Sequence, residues 1–284
     1  MSDIPHIFDD QLRRRRREKV AGQLASTDFL LKPISIELSE RLQAIHREFQ
    51  TFVCHGAGHL SQMIASGCIA TDTTQNSSQV GQIVLDEAAL PFAPAAIDAF
   101  ASVLTLHALN DLPGALAQIR HALRPDGLFI AALFGGDTLV ELRKSFADAE
   151  LEIDGGVSPR VFPFADLRDA GALLQRAGFA LPVADSEKLV VHYESPIRLL
   201  HDLRHMAESN VLFDRRRTFL RRSVLFRTLE IYAANYADST GRVRATFEVL
   251  YLTGWAPHES QQKPLQPGSG KVSLADILKK PSAD

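Results

Sequence analysis

Short apolar runs alternate with segments of helical period along most of this 284-residue chain. Several of the runs end in a carboxylate, a histidine or a pair of glycines. The runs that predict strands lie at residues 51–54, 67–72, 83–85, 99–106, 128–134, 188–193 and 244–255. Buried strands separated by helices are typical of an α/β fold with a doubly wound, mostly parallel, seven-stranded sheet. Ligands of such sheets bind beyond the carboxyl ends of the strands.

The pattern divides the chain into three parts. Residues 1–50 form an N-terminal helical segment, and residues 51–256 form the α/β core. Two helical segments at about residues 195–240 interrupt the core before its last strand, where they would lie over the strand ends as a lid or a substrate-recognition element. Residues 257–284 are rich in Gln, Pro and Gly, which predicts an extended polar tail with one short helix.

The composition is that of an ordinary globular protein. Hydrophobic residues make up 45% and charged residues 23% of the chain, and the net charge of -3 gives no indication of DNA binding. No apolar run approaches the roughly 20 residues that span a bilayer, and the N-terminus lacks the apolar segment of a signal peptide. Cys54 and Cys68 have no metal-binding or disulfide spacing. We therefore expect a cytoplasmic protein without a metal site.

An arginine run at residues 13–17 is the strongest local concentration of charge. Such a run could contact nucleic acid or an anionic surface. The alternative, which we favour, is the solvated face of a helix that also carries Glu18 and Lys19, because a single run is weak evidence for a ligand.

Several segments together resemble one protein family. They are residues 107–113 (HALNDLP), 133–139 (LFGGDTL), 203–210 (LRHMAESN), 254–258 (GWAPH), 260–264 (SQQKP) and 268–270 (GSG). The chain resembles, over nearly its whole length, the methyltransferase-like assembly factors of respiratory complex I, in a bacterial form. That resemblance implies a class I fold, S-adenosylmethionine (SAM) as cofactor and a protein substrate or partner. For mitochondrial members it implies hydroxylation of an arginine in a complex I subunit.

Residues at the predicted strand ends match the cofactor site that this resemblance implies. Gly56, Ala57 and Gly58 follow the first strand, and glycine there lets the backbone approach a ligand. Asp72, after the second strand, would accept hydrogen bonds from ribose hydroxyls; the alternative is a turn-forming aspartate. Asp86, after the third strand, would accept from the adenine amino group; the alternative is a solvated loop carboxylate.

Glu87 and Leu104 are also predicted to contact the cofactor. One position departs from the family pattern. Methyltransferases of this class usually carry an acidic residue two positions before the first glycine of the turn, and Cys54 stands there in this chain. If the glycine motif begins at Gly58 instead, the corresponding residue is Phe52. The group that helps to hold the cationic end of the cofactor is thus missing.

His107 and Asp111 are the candidate catalytic residues. Methyl transfer depends chiefly on positioning, with a general base in some enzymes. His107 follows the fourth strand and is the best candidate for the base by its ordinary pKa; the alternative is a histidine that packs at the strand end. Asp111 could assist, but it could equally cap the helix that follows, whose first turn contains Pro113.

Three functions remain open at this point. The leading hypothesis is a SAM-dependent methyltransferase-fold enzyme that acts on a protein. The second is a malonyl-carrier-protein O-methyltransferase of biotin synthesis, which would share the core. The third is a non-catalytic assembly scaffold with a degenerate cofactor site, which is suggested by the missing acidic residue. A cofactor cavity filled by the protein's own side chains would favour the third, and an open cleft would not.

Overall fold

The computed structural model describes residues 5–21, 29–56, 60, 68–73 and 83–262. Ala57 and Gly58 of the predicted turn lie outside these ranges, and so does the tail from residue 263 onward with its predicted helix. Among the described helices, none is long and apolar enough to cross a lipid bilayer. Within the same ranges, no group of three or more His, Cys, Asp or Glu side chains could hold a metal ion.

The strands form a seven-stranded sheet in the order β3-β2-β1-β4-β5-β7-β6. β7 runs antiparallel to β5 and β6, whereas the other neighbouring strands pair in parallel. The predicted doubly wound, mostly parallel sheet is therefore confirmed. The strand bounds are β1 (Phe52–His55), β2 (Cys68–Asp72), β3 (Ile83–Val84), β4 (Ile97–Val103), β5 (Leu123–Phe134), β6 (Ala180–Tyr193) and β7 (Val243–Trp255).

The strand order reverses at β1 and β4, which pair directly through Cys54 and Ala101. In doubly wound sheets the crevice beyond such a reversal is where ligands bind. The residues that follow these strands and β2 thus converge on one edge of the sheet. Every residue of β1 is buried, as expected for a central parallel strand covered on both faces.

Three strands differ from the sequence prediction by more than one residue at an end, and the other four differ by one residue. β5 begins at Leu123 rather than at residue 128, because a register shift between β4 and β5 accommodates the turn-forming residues 125–127. β6 is fourteen residues long and begins at Ala180 rather than at residue 188. Its first part contains polar residues, which do not give the pattern of a buried strand but are tolerated on an edge strand that is largely exposed. β4 ends at Val103 rather than at residue 106, because Leu104 adopts a φ of 51° and a 3-10 turn follows.

Helices cover both faces of the sheet. Their bounds are α1 (Asp10–Val20), α2 (Leu31–Ala44), α3 (Leu112–Ala122), α4 (Val140–Asp154), α5 (Leu167–Arg176), α6 (Pro196–His205) and α7 (Arg222–Tyr236). The insertion before β7 is thus α6 and α7, as predicted. The second of its helices starts at Arg222. In the segment before it, Arg215, Arg216 and Arg221 form ion pairs with Asp9 and Asp154.

The core has one apolar layer on each side of the sheet. One layer packs α2, α4, α6 and α7 through residues such as Leu38, Phe146 and Tyr232. The other packs α3 and α5 through residues such as Leu116 and Leu174. A third, smaller cluster joins the N-terminal segment to the segment after α6, and its members are Phe8, Ala108, Phe162, Val211 and Leu212. This last cluster places α1 beside the strand ends.

Candidate cofactor and acceptor site

Gly56 begins the turn after β1 and is required there by its conformation. Its φ is +80°, and its N–H donates to the Thr71 carbonyl oxygen at 3.0 Å. A Cβ atom at this position would lie 2.1 Å from Thr105 Cγ2 and 2.6 Å from the Val103 carbonyl oxygen. The turn therefore brings bare backbone close to the end of β4, as a ligand site at this edge requires.

We expect Gly56→Ala to lower the free energy of unfolding by about 2–4 kcal/mol, because left-handed strain and a steric clash combine. Gly241→Ala is the matched control. Gly241 has a similar φ of +83°, but a Cβ atom at that position would have no neighbour within 4 Å. Strain alone should cost about 1–2 kcal/mol there. Urea unfolding of both variants measures the difference, and equal losses would contradict the close approach at Gly56.

Three arginines of α1 reach the predicted cofactor carboxylates. Arg14 forms an ion pair with Asp86, and Arg13 lies 3.3 Å from a carboxylate oxygen of Glu87. Arg17 donates to Thr73 Oγ1 at 2.7 Å and to the Leu104 carbonyl oxygen at 3.0 Å, and lies 3.8 Å from Asp72. Arg16 donates to the Asn210 carbonyl oxygen at 2.8 Å.

Both interpretations of the arginine run, a surface that contacts an anionic partner and a solvated helix face, are therefore wrong. The run is neither a solvated helix face nor a free cationic surface, since Arg13 is 4% exposed and only Arg15 of the five is exposed. The sequence pattern could not reveal this, because the partner carboxylates lie more than fifty residues further along the chain.

Glu87 is the buried centre of this charge network. Its carboxylate lies 3.1 Å from His55 Nε2 and 3.3 Å from Arg13, and its side chain is 2% exposed. Burial acts to raise the pKa of Glu87, but His55, Arg13 and Arg17 outweigh burial and hold that pKa well below its ordinary value. In this arrangement Glu87 holds α1 against the sheet instead of facing a cofactor.

The lowered pKa of Glu87 predicts a loss of stability in acid. Ionised Glu87 contributes its full stabilisation above the unfolded-state pKa of about 4.3, and that contribution disappears as the pH falls through the lower folded-state pKa. The free energy of unfolding should therefore fall more steeply below about pH 4.3 in the wild type than in Glu87→Gln. Urea unfolding across a pH series measures both slopes; parallel slopes would contradict the assignment.

Among the described residues, little space remains at the strand ends. The cavity beside Arg17, Gly56, Asp72 and Leu104 measures about 40 Å³, whereas pockets for small molecules usually measure about 300–1,000 Å³. The carboxylates and the glycine lie where the sequence predicts a cofactor, but the arginines of α1 occupy the space between them. Glu208, which follows α6, borders this small cavity.

A second, larger cavity lies beside the first. It measures about 230 Å³ and is lined mostly by apolar side chains of the core and the insertion, such as Phe134, Phe164 and Leu203. Glu208 also borders this cavity. The larger cavity thus meets the strand-end site at the Glu208 carboxylate, whose side chain is 12% exposed.

His107 is held at this junction. It lies in the 3-10 turn Leu106–Ala108, and its Nε2 is 3.2 Å from Glu208 Oε2. Its ring lies 4.9 Å from that of Phe134, and its Nδ1 is buried without a hydrogen-bond partner in the described part of the chain. Burial acts to raise the pKa of Glu208, but His107 and then Arg17 and Arg13 outweigh it and lower that pKa. The carboxylate is therefore ionised.

Asp111 has a structural role. Its side chain accepts from the Gly114 N–H at 2.8 Å and caps α3, whose first turn holds Pro113. Sequence reasoning does not find Glu208, although this residue lies in one of the segments that carry the family resemblance. It also misses Arg17 and His55. Glu208 and Arg17 are far from the strand ends in sequence, so that no local spacing relates them to the site.

Comparisons with known proteins agree with the observed fold and with the family resemblance of the sequence. Residues 54–131 match the model of the methyltransferase domain family. The chain is 36% identical over 290 residues to arginine-hydroxylase NDUFAF5, mitochondrial, of Danio rerio, a match that covers 96% of this chain and 90% of the relative. It is 35% identical over 172 residues to malonyl-acyl-carrier-protein O-methyltransferase of Xylella fastidiosa, a match that covers 61% of this chain and 56% of that relative.

A solved structure confirms the fold class. Phosphoethanolamine N-methyltransferase 2 of Haemonchus contortus, solved with phosphomonomethylethanolamine and S-adenosylhomocysteine, superimposes with a TM-score of 0.50 at 12% identity. The match covers 87% of this chain and 61% of that chain. At this identity the likeness establishes the fold alone, which is that of the class I SAM-dependent methyltransferases.

Proposed function

The chain belongs to the family of the mitochondrial arginine-hydroxylases NDUFAF5, and from that premise we propose that it is a SAM-dependent enzyme that modifies an arginine side chain of a protein. The observation that carries this proposal is the position of Glu208, which borders both the strand-end cavity and the larger apolar cavity. A cofactor in the first and an acceptor side chain in the second would meet at this carboxylate.

The residues at the strand ends match the chemistry of SAM. Asp72 offers a carboxylate to ribose hydroxyls, and Asp86 offers one to the adenine amino group. The Leu104 carbonyl oxygen accepts a hydrogen bond from a cation, here Arg17, and Gly56 leaves room for the backbone to approach a ligand. When bound, SAM supplies an electrophilic methyl group. Cys54 offers no charge to the cofactor, so the carboxylates after β2 and β3 would provide its main polar contacts.

The larger cavity suits a long side chain with an apolar stem and a cationic head. Its aromatic and aliphatic walls would pack against the stem, and ionised Glu208 would accept hydrogen bonds from a guanidinium group. His107, in contact with Glu208, would receive the proton that the acceptor loses. Desolvation by the surrounding aromatic rings would strengthen these electrostatic contacts.

Peptide mass spectrometry of complex I tests this proposal. Complex I is purified from the organism that carries this chain and from a strain in which the gene is deleted. We expect one arginine-containing peptide to lose the mass of its added group in the deletion strain and to regain it when the gene is restored. The mass also distinguishes a methyl group from the oxygen atom that the relatives' name implies. Identical arginine peptides in both strains would contradict the proposal.

A second candidate is the non-catalytic assembly scaffold. It is favoured by the filling of the strand-end cavity by arginines of α1. A scaffold predicts that complex I assembles normally with a Glu208→Gln variant and that no arginine differs between strains. The enzyme predicts that the variant leaves the arginine unmodified.

The malonyl-carrier-protein alternative has weaker support. Its relative matches 61% of this chain, whereas the arginine-hydroxylase relative matches 96%. Growth of a biotin auxotroph carrying this gene would support that alternative, and failure to grow despite good expression would contradict it.

A further inference from the structure

We propose that α1 is an autoinhibitory plug, which fills the cofactor site with its own arginines and must move away before SAM binds. This inference rests on the proposed cofactor site. It concerns a step that precedes the chemistry, namely the loading of the cofactor. Three observations support it: the groups that the arginines of α1 contact, the burial of each contact, and the bonds that hold α1 in place.

Arg17 uses the acceptors that the cofactor needs. Its guanidinium donates to Thr73 Oγ1 at 2.7 Å and to the Leu104 carbonyl oxygen at 3.0 Å, and it lies 3.8 Å from Asp72. These acceptors lie at the ends of β2 and β4, where ligands of this fold class bind. Because SAM also carries a positive charge and several hydrogen-bond donors, it and Arg17 would compete for the same groups.

Arg14 competes for a second predicted cofactor contact. It forms an ion pair with Asp86, and the side chains of the two residues are 43% and 37% exposed. An ion pair as exposed as this one is weak, so it can open at small cost. The 40 Å³ that remain beside Arg17 are far too small for a cofactor of the size of SAM. The described side chains therefore exclude the cofactor while α1 stays in place.

The inner end of the plug is anchored more firmly. Arg13 and Glu87 form a pair whose side chains are 5% and 2% exposed. On its outer side, α1 is tied to the segment after α6, since Arg16 donates to the Asn210 carbonyl oxygen and Arg215 pairs with Asp9 at 2.9 Å. That segment contains Glu208. Movement of α1 would thus change the cofactor site and the border of the acceptor cavity together.

Calorimetric titration with S-adenosylhomocysteine tests the plug. The proteins are the full-length wild type, Arg17→Met and, as matched control, Arg15→Met on the exposed face of the same helix. Methionine keeps an apolar stem but cannot donate to Leu104 or pair with Asp72. The apparent affinity equals the intrinsic affinity multiplied by the fraction of molecules in which the site is open. We therefore expect Arg17→Met, which opens more often, to bind about tenfold more tightly than the wild type. Arg15→Met should bind as the wild type does.

Each outcome decides a separate point. Tighter binding by Arg17→Met alone supports the plug. Tight binding by the wild type with equal or weaker binding by Arg17→Met overturns the plug, since Arg17 would then help to hold the cofactor, and leaves the proposed function intact. Absence of binding by all three folded proteins overturns both the plug and the SAM-dependent function.

Amide hydrogen exchange on the wild type provides a readout that does not depend on the folding of a variant. With S-adenosylhomocysteine present, the plug predicts faster exchange of the α1 amides, residues 10–20, because the helix leaves its site. Slower exchange of these amides with ligand bound would overturn the plug.

Discussion

Replacing Glu87 with alanine is expected to lower the free energy of unfolding by about 3–5 kcal/mol. The change removes the carboxylate that lies between Arg13 and His55, and Arg13 is then a buried cation without its main partner. An unpaired buried charge costs far more than the loss of a surface pair. Glu87 also receives a contact from Thr73 Oγ1 at 3.5 Å, so the loss extends to the end of β2.

Glu37→Ala is the matched control for Glu87→Ala. Glu37 also pairs with an arginine, at 2.8 Å from Arg41, but its side chain is 36% exposed. A pair of this kind on a helix surface contributes about 0.3–0.5 kcal/mol. Urea unfolding near neutral pH compares the two variants. If Glu87→Ala were as stable as Glu37→Ala, the network that attaches α1 to the sheet would be refuted.

Glu208→Gln is expected to lower the rate of arginine modification by roughly 10²–10³-fold. The substitution keeps the shape of the side chain but removes its negative charge, and with it the ion pair that a guanidinium group would form and the charged partner of His107 at 3.2 Å. The substrate for the measurement is the acceptor peptide identified by mass spectrometry in the deletion strain. The rate is followed with purified enzyme and SAM.

Glu194→Gln is the control for this measurement, because Glu194 is exposed just before α6 and borders neither cavity. Its rate should equal that of the wild type. An unchanged rate in Glu208→Gln would remove Glu208 from the reaction. A fall in the rate of both variants would indicate a general loss of folding instead.

The sequence could predict the sheet because its central strands are continuous apolar runs. Most residues of β4 and β5 are buried, and their hydrophobic runs therefore predict buried strands. Only the last part of β6 could be predicted, because an edge strand needs no such run. The cap of α3 by Asp111 was also predictable, since the interaction is local.

The sequence could predict only those parts of the site that follow directly from strand ends. Gly56, Asp72 and Asp86 lie at the ends of strands, as predicted from the apolar runs that precede them in the sequence. Arg17 and Glu208 come from the N-terminal helix and the insertion, and they meet only in the folded chain. A charged run gives no indication of its partner, and so a run of arginines that pair with carboxylates resembled a solvated helix face.

A crystal structure of the full chain grown with S-adenosylhomocysteine would test whether the strand-end site binds a SAM-type cofactor and is closed by α1. We predict the ligand beside Gly56 and Leu104, with its ribose on Asp72 and with Arg14 and Arg17 withdrawn from Asp86 and Asp72. A structure in which the ligand binds elsewhere, or is absent while the arginines keep these contacts, would contradict a SAM-type site at the strand ends.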